Sequence, residues 1–356
     1  MKGPAIFRLI ALPLVFLFVL TACQATDESP EPEESTGAEE STGAEESMGE
    51  ASDAPEPVAF TVGFTSIGIS STPLLAAIDV LRDQGYEIDT PELAESELVA
   101  EGVAQNQFQF GSGANNGTLL AIEQGAPIKW IIDRTQNEWQ VYAVEGIETC
   151  EELVNSRVAI HSPGSVSGAM LRDWVNNNCP EETYEPLIIE GSQNRLAALL
   201  ADQIDASPVE FGDALVLEEE GGFRRVVSFA QDLPELHPTS VYGNTEWMAD
   251  NPDATQALVT ALLEEFRRIN SEDGYLMELY ERYLPEEAAG ENAQAIVDAY
   301  IEAGIFPDDG GLTVEAVQYT IDFFGPDGTG AVESEFTPDD VADLSYLEAA
   351  LDELGN

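Results

Sequence analysis

Four short stretches concentrate the groups that could do chemistry: 65–72 (TSIGISST), 111–116 (GSGANN), 161–168 (HSPGSVSG) and 190–194 (EGSQN). Each follows a run of strand character and precedes a run of helical period. At a helix opening the first backbone N–H groups lack intrahelical partners, so small polar residues there offer donors to an oxygen-rich or anionic group. Capping alone accounts for any one of these loops. Their recurrence predicts a binding crevice. The third stretch also raises nucleophilic catalysis, because Gly164-Ser165-Val166-Ser167-Gly168 closely follows His161. A nucleophile elbow needs serine at the centre of G-x-S-x-G, however, and Val166 holds that place, with no triad order evident downstream. Two histidines in the whole chain, His161 and His237, make a histidine-built zinc site unexpected. No catalytic residue, metal or cofactor is assigned.

The segments that must hold these loops alternate. Residues 60–64 read as a strand, 65–72 as a loop, and Pro73 opens a helical stretch through Leu81, with Ser71 or Thr72 as its cap. Strands at 108–110, 157–160 and 187–189 lead in the same way to helices through Glu123, Val175 and Leu200. This alternation predicts an α/β fold with mainly parallel sheets, whose ligands bind beyond the carboxyl ends of the strands. The last third reads as helical. Leu258, Val259, Leu262, Leu263, Phe266 and Ile269 mark one face of a helix opened by Asn251-Pro252; Val341, Leu344, Leu347, Leu351 and Leu354 mark a C-terminal helix that Gly355 can end. Both stripes are read as core.

Lys2 and Arg8, an apolar run over 9–20 and the sequence Leu20-Thr21-Ala22-Cys23 form the three-part layout of a secretory signal, whose apolar part is short for a spanning helix. Residues 24–57 are mostly Glu, Ser, Thr, Gly, Ala and Pro, with the hexapeptide ESTGAE at Glu34 and again at Glu40, and lack the apolar bulk needed to order themselves. They read as a flexible acidic linker. The stretch 58–356 is long enough for two lobes. The formal net charge is −55, and Lys129 is the only lysine beyond the leader. Nucleic acid and anionic membrane surfaces, which demand a basic patch, are poor partners. Salt would screen such self-repulsion, so stability should rise steeply with added salt. Of three cysteines, Cys150 and Cys179 remain as a pair in an exported domain once Cys23 is set aside. A disulfide is expected, with two buried reduced thiols as the alternative.

Leu20 to Cys23 resembles the bacterial lipobox, which implies a lipid on Cys23 and an extracytoplasmic lipoprotein anchored to the cell membrane. The segments 102–111 (GVAQNQFQFG), 119–128 (LLAIEQGAPI), 162–165 (SPGS) and 195–206 (RLAALLADQIDA), with Glu210 and Asn251-Pro252, resemble in their order the substrate-binding proteins of ABC importers for nitrate, sulfonates, taurine and thiamine precursors. The resemblance covers almost everything after the linker. It implies a type II periplasmic-binding fold of two lobes, 58–143 with 235–356 and 144–234, joined by crossings near 139–144 and 226–242 that let the lobes close as a clamp.

The resemblance also implies the ligand contacts. Ser66, Ile67, Gly68, Ser70, Ser71 and Thr72 come from the first loop, and Gly113, Ala114, Asn115 and Asn116 from the second. Gln136, Asn137 and Trp139 come from the outgoing crossing, Gly164, Ser165, Val166 and Ser167 from the third loop, and Glu210, Phe211 and Tyr242 from later positions. Trp139, Phe211 and Tyr242 could stack on a planar ring or pack in the core or hinge. The implied partners are a small solute (a sulfonate, a nitrate-like anion or a pyrimidine thiamine precursor) and the permease subunits, with the chain a monomer and not an enzyme. The chain's negative charge departs from what an anion binder needs. A surface adhesion lipoprotein and a pyrimidine-synthesis-like enzyme are the alternatives.

Overall fold

The computed structural model describes residues 58–181 and 184–355; the leader, Cys23 and the acidic linker lie outside them. The strands are β1 (Ala59–Phe64), β2 (Glu87–Asp89), β3 (Phe110–Ala114), β4 (Ile128–Asp133), β5 (Gln140–Val144), β6 (Ala159–Ile160), β7 (Leu187–Ile188), β8 (Ala206–Val209), β9 (Phe223–Ser228) and β10 (Thr239–Asn244). One sheet has the order β2-β1-β3-β10-β4, in which β1 is parallel to β2 and β3 while β10 is antiparallel to β3 and β4. Only β10 is reversed. The remaining strands repeat the plan. β5 is antiparallel to β8 and β9, β6 is parallel to β7, and a parallel bridge between Val158 and Ala206 links that pair to β8. The second order is then β7-β6-β8-β5-β9, with β5 the single reversed strand.

Strand direction is therefore mainly parallel, as expected, but each sheet is mixed for a physical reason. β5 is the first strand laid down after the chain leaves the first sheet, and β10 the first after it returns. Gln140, at the start of β5, pairs with Val209 and Ser228 at the ends of β8 and β9. Thr239 and Ser240, at the start of β10, pair with Ala114 and Asp133 at the ends of β3 and β4. Each crossing thus enters at a carboxyl edge and must run backwards, which brings the two carboxyl edges to face one another across the short links.

Those links differ from the sequence expectation. Residues 140–144, assigned mostly to the first lobe and its crossing, form β5 and pair only within the second sheet. The outgoing link is 134–139 and the return is 229–238. Residues 111–114, expected as loop, are strand. β3 is central, so β1 and β10 pair its backbone from both sides, and Gly111 is required because a Cβ there would approach the Tyr242 ring to 2.6 Å.

The helices that matter to the loops are α1 (Thr72–Asp83), α2 (Ser96–Ala104), α3 (Asn115–Glu123), α4 (Cys150–Val154), α5 (Val166–Asn178), α6 (Ser192–Leu200) and α7 (Phe211–Glu220). Ser71 is the N-cap of α1 without a side-chain cap bond, while Thr72 Oγ1 donates to Ile69 O (2.9 Å). Helix Pro252–Ser271 packs on α1 and buries all six residues of its predicted stripe. The C-terminal stripe is broken. Val341 ends the short helix Pro338–Val341, Ala342 makes a parallel bridge to Trp130, and helix resumes over Ser345–Leu354, burying Leu347 and Ala350. A disulfide joins Cys150 to Cys179 at a Cα separation of 5.9 Å, tying the start of α4 to the end of α5. Among the described residues no helix is long and apolar enough to cross a membrane.

Candidate functional site

The loops after the facing strand ends converge on one gap. It encloses about 50 Å³, lined on the first sheet's side by Thr65, Ser66, Ser96, Gly113, Ala114 and Thr239, at the outgoing link by Arg134 and Trp139, and on the second sheet's side by His161, Ser165, Val166, Ser167, Ser192 and Glu210. Three hydrogen bonds cross between the sides: Asn116 Nδ2 donates to Gly164 O (2.7 Å), Ser162 Oγ to Glu97 Oε1 (3.5 Å) and His161 Nε2 to Ala94 O (3.1 Å). A Cβ at Gly164 would fall 1.8 Å from Glu97 Oε1, so a larger residue there would push that carboxylate away from Ser162. His161 Nδ1 accepts the Gly191 N–H (3.0 Å), so its two bonds select the neutral Nε2–H tautomer. Burial, and then Arg195, hold its pKa below the usual histidine value. Ser165 caps α5, its Oγ accepting from Gly168 N–H (3.3 Å) and donating to Ser162 O (2.8 Å).

Arg134, Thr65 and Thr239 line this gap, and Arg134 Nε, Thr65 Oγ1 and Thr239 Oγ1 are shielded from solvent and have no hydrogen-bond partner. Buried polar groups are normally paired, so such atoms mark where a guest's polar atoms fit. Arg134 is held by its other end, Nη2 donating to Ser70 Oγ (2.9 Å).

Glu210 also lines a second, outer chamber of about 370 Å³. Gly68 and Ile69 approach it from the first loop, Gln193, Leu196, Gly212, Asp213 and Val216 from α6 and α7, and Tyr280, Glu287, Glu291, Ile296 and Tyr300 from the helices of the last third. Among the described residues no Lys or Arg lines it. Behind the walls, Arg195 is fully buried, its Nε donating to Pro208 O (3.1 Å), its Nη1 to Ile189 O (3.1 Å), with the guanidinium 6.0 Å from the Trp139 ring centroid. Burial brings Arg195 down to about 10, against the pull of Glu210 and Asp213. Asp213 is pushed up to about 7 by burial and then by Glu210. Glu138, which accepts the Tyr300 hydroxyl (2.7 Å), is likewise pushed up to about 7, by burial and then by Glu210.

The sequence model of the family described as NMT1/THI5 like matches residues 72–266, more than half of the chain. This chain belongs to that family. Solved structures agree in fold at low identity. The ligand-binding component of an ABC-type import system from Staphylococcus aureus, solved with zinc bound, superposes with a TM-score of 0.66 at 12% identity over 82% of this chain and 99% of that one. The nitrate-binding protein NrtA from Synechocystis PCC 6803 gives 0.64 at 11% over 85% and 90%, and the periplasmic sulfonate-binding protein SsuA from Methylobacillus flagellatus KT gives 0.61 at 16% over 84% and 95%. The desulfurization enzyme DSZB shares the fold as well, with 0.58 at 14% over 83% and 100%. No curated protein matches by sequence. The NMT1/THI5-like chain thus has the periplasmic-binding-protein fold, on which both binding proteins and an enzyme are built.

Of the residues singled out from sequence in this NMT1/THI5-like chain, Ser66, Gly113, Ala114, Trp139, Ser165, Val166, Ser167 and Glu210 line the inner gap, and Gly68 the outer chamber. Ile67, Ser70, Ser71 and Thr72 do not line either space; Ser70 anchors Arg134, and Ser71 Oγ donates to Ser66 O (3.3 Å) within its own turn. Asn115 braces the return link, donating from Nδ2 to His237 O (2.7 Å) and Ser240 Oγ (2.9 Å). Asn137 Nδ2 reaches Phe229 O and Leu233 O, both at 3.2 Å, and Gln136 N–H donates to Ile305 O (2.9 Å). Asn116 and Gly164 clasp the two sides together. Phe211 packs edge-on to Tyr300 at 5.4 Å, and Tyr242 is buried under Gly111. Sequence reasoning placed Thr65, His161 and Ser192 in its crevice loops without naming them as contacts, and did not single out Ser96, Arg134 or Thr239, nor the acidic and tyrosine walls of the outer chamber.

Proposed function

We propose that this chain is the extracytoplasmic solute-binding component of an ABC importer, capturing a small solute between two lobes and delivering it to a permease. The observation that carries this reading is that loops from two separate sheets enclose a single gap whose walls hold unpartnered polar atoms of Arg134, Thr65 and Thr239. Two lobes of about 58–139 with 235–356 and 140–234, moving about the links 134–139 and 229–238, would open that gap and shut it on the guest. The relatives named as nitrate- and sulfonate-binding proteins support the choice of a transport role. Arg134 and Arg195 supply buried positive charge near the gap that the overall charge of −55 conceals, so an anionic group on the solute fits the inner wall.

A binding rather than a reacting site is the better reading. Ser165 Oγ is committed to capping α5, and both ring nitrogens of His161 are committed to backbone groups, so neither forms a nucleophile–base pair. We place the protein outside the cytoplasm, tethered through a lipid on Cys23 and the acidic linker, and acting as a monomer that a permease can engage. Two measurements test the reading. Mass spectrometry of the chain purified without added solute should release one small molecule, and a thermal-shift screen of sulfonates, nitrate and pyrimidines should find a stabilising solute, worth about 2.7 kcal/mol at 100 times its Kd. No retained molecule and no stabilising solute would remove the transport role; turnover of a bound solute would replace it with an enzymatic one.

A further inference from the structure

We propose that Glu210 sets the length of the solute: in the closed form its side chain is the partition between the inner gap and the outer chamber, and it confines the guest to a small anion. The inference rests on the solute-capture reading and adds to it the residue that selects by size. Its basis is the boundary where the two spaces meet. Among the described residues, Glu210 is the one residue that lines both. The neighbouring loops change sides at the same boundary: Ser66 faces the inner gap and Gly68 the outer chamber, Ser192 the inner gap and Gln193 the outer chamber. Three chain segments therefore bring the spaces edge to edge, with one side chain between them.

The backbone of Glu210 is fixed from both directions. It follows Val209, which pairs with Gln140 at the end of β8, and it is the N-cap of α7, its N–H donating to Ser192 Oγ (2.9 Å). Its side chain makes no cap bond and projects instead toward the loop after β1. There the carboxylate lies against Gly68, where even a Cβ would stand 3.3 Å from Oε2. Gly68 follows a strand of the first sheet and Glu210 a strand of the second, so closure of the lobes completes the partition and opening parts it. Attraction does not account for a carboxylate at this place, because it opposes the anionic group fitted to the wall beside Arg134. What it closes off does. The inner gap, about 50 Å³, has room for roughly four water-sized occupants at ~10–15 Å³ each. The outer chamber, about 370 Å³, would receive an apolar tail against Ile69, Leu196, Val216 and Ile296 were it continuous with the gap.

Titration calorimetry of the full chain with methanesulfonate and hexanesulfonate tests the proposal, read as the ratio of the two affinities. The unaltered chain should bind methanesulfonate at least tenfold more tightly than hexanesulfonate. Glu210→Ser, which keeps a capping side chain for α7 while removing the barrier, should shift the ratio at least tenfold toward hexanesulfonate. Should that variant not fold, Glu210→Ala answers the same question. Glu210→Gln, equal in length and uncharged, should strengthen both ions together and keep the ratio. An unaltered chain that binds hexanesulfonate as well as methanesulfonate would overturn the partition while leaving solute capture standing. A ratio that the glutamine variant shifts as far as the shortened ones would overturn it too, since charge and not length would then be selecting. Silence of the unaltered chain toward methanesulfonate would also overturn it, and solute capture would then be decided separately by the mass spectrum of the retained molecule.

Discussion

The two sheets share a strand plan but are held together by different means. Around the first, Phe60 packs on Tyr86, Phe110 and Trp247 at ring separations of 6.0, 5.3 and 5.6 Å, Phe110 meets Trp247 at 5.3 Å, and Trp130 is fully buried. Around the second, β6 and β7 contribute two residues each and reach β8 through one bridge. One cluster there packs Ala159, Ala198, Leu199, Ile204, Val209, Ala214 and Leu217 around a buried ring, Tyr142. Ties are added: the Cys150–Cys179 bond, and Arg195 joining Pro208 O to Ile189 O. Where fewer rings meet, covalent and polar links help to hold the strand ends.

Trp130→Ala should be the most damaging change to the aromatic side of this contrast, costing about 4 kcal/mol through the cavity it leaves and the loss of the Nε1 bond to Thr118 Oγ1. Hydrogen exchange should accelerate in β3, β4 and β10 well before β5 and β8. Equal acceleration in both sheets would break the comparison, showing one cooperative unit. Replacing Cys150 and Cys179 together by alanine should cost roughly 3 kcal/mol, from the loop of 29 residues released in the unfolded chain. Its imprint should be the mirror image, concentrated in α4 and α5 and sparing the first sheet, read by the same exchange experiment.

How far the sequence revealed this molecule follows the same divide between local and non-local causes. The stripe Leu258 to Ile269 was legible because helical period and burial coincide, and Ser66, Gly113 and Ser165–Ser167 because a helix opening is a local event with local residue preferences. Arg134 was not, since DRTQNEW reads as a polar turn and only the meeting of two sheets buries it. The outer chamber was illegible for a stronger reason: Asp213, Glu287 and Tyr300 lie on helices far apart in sequence, and no short pattern joins them. Tyr242 drew attention as an aromatic near a crossing, but its place under Gly111 is set by the register of β10 on β3. The reversed strands escaped notice because their direction is fixed by where the chain comes from, not by what they contain.

Between the sheets, at the outgoing link, pH gives a sharper probe than mutation. Glu138 is 1% exposed and its pKa stands at about 7, against an ordinary value near 4.5, through burial and then Glu210. The folded chain therefore keeps a proton there that the unfolded chain has released. Stability from this group should grow as pH falls from about 7 toward 4.5, by about 1.4 kcal/mol per pH unit while the two states differ by a full proton. Burial likewise raises Asp133, against the pull of His237. For His237 burial works downward but Asp133 prevails and raises it, so both members of that pair act in the same direction as Glu138. Urea unfolding at pH 5, 6 and 7 should show rising stability toward pH 5, and Glu138→Gln should reduce the slope while Asp213, also raised to about 7, sustains the rest. A slope unchanged by Glu138→Gln would mean that Glu138 is ionised in the fold.

The smallest effect concerns the contact that joins the two sheets across the gap. Asn116 Nδ2 reaches Gly164 O from the opening of α3, and in an open form both groups could be hydrated. Asn116→Ala should thus cost the unliganded chain less than about 1 kcal/mol, because water replaces what is lost. Closure on a solute leaves no such replacement, so solute affinity should fall about fivefold, chiefly through faster release. Affinity unchanged with stability reduced would make Asn116 a packing residue of the first sheet alone. Affinity reduced with stability unchanged would show that the aromatic and the stapled halves are joined mainly when the gap is filled, which is the behaviour two separately braced sheets on short links should have.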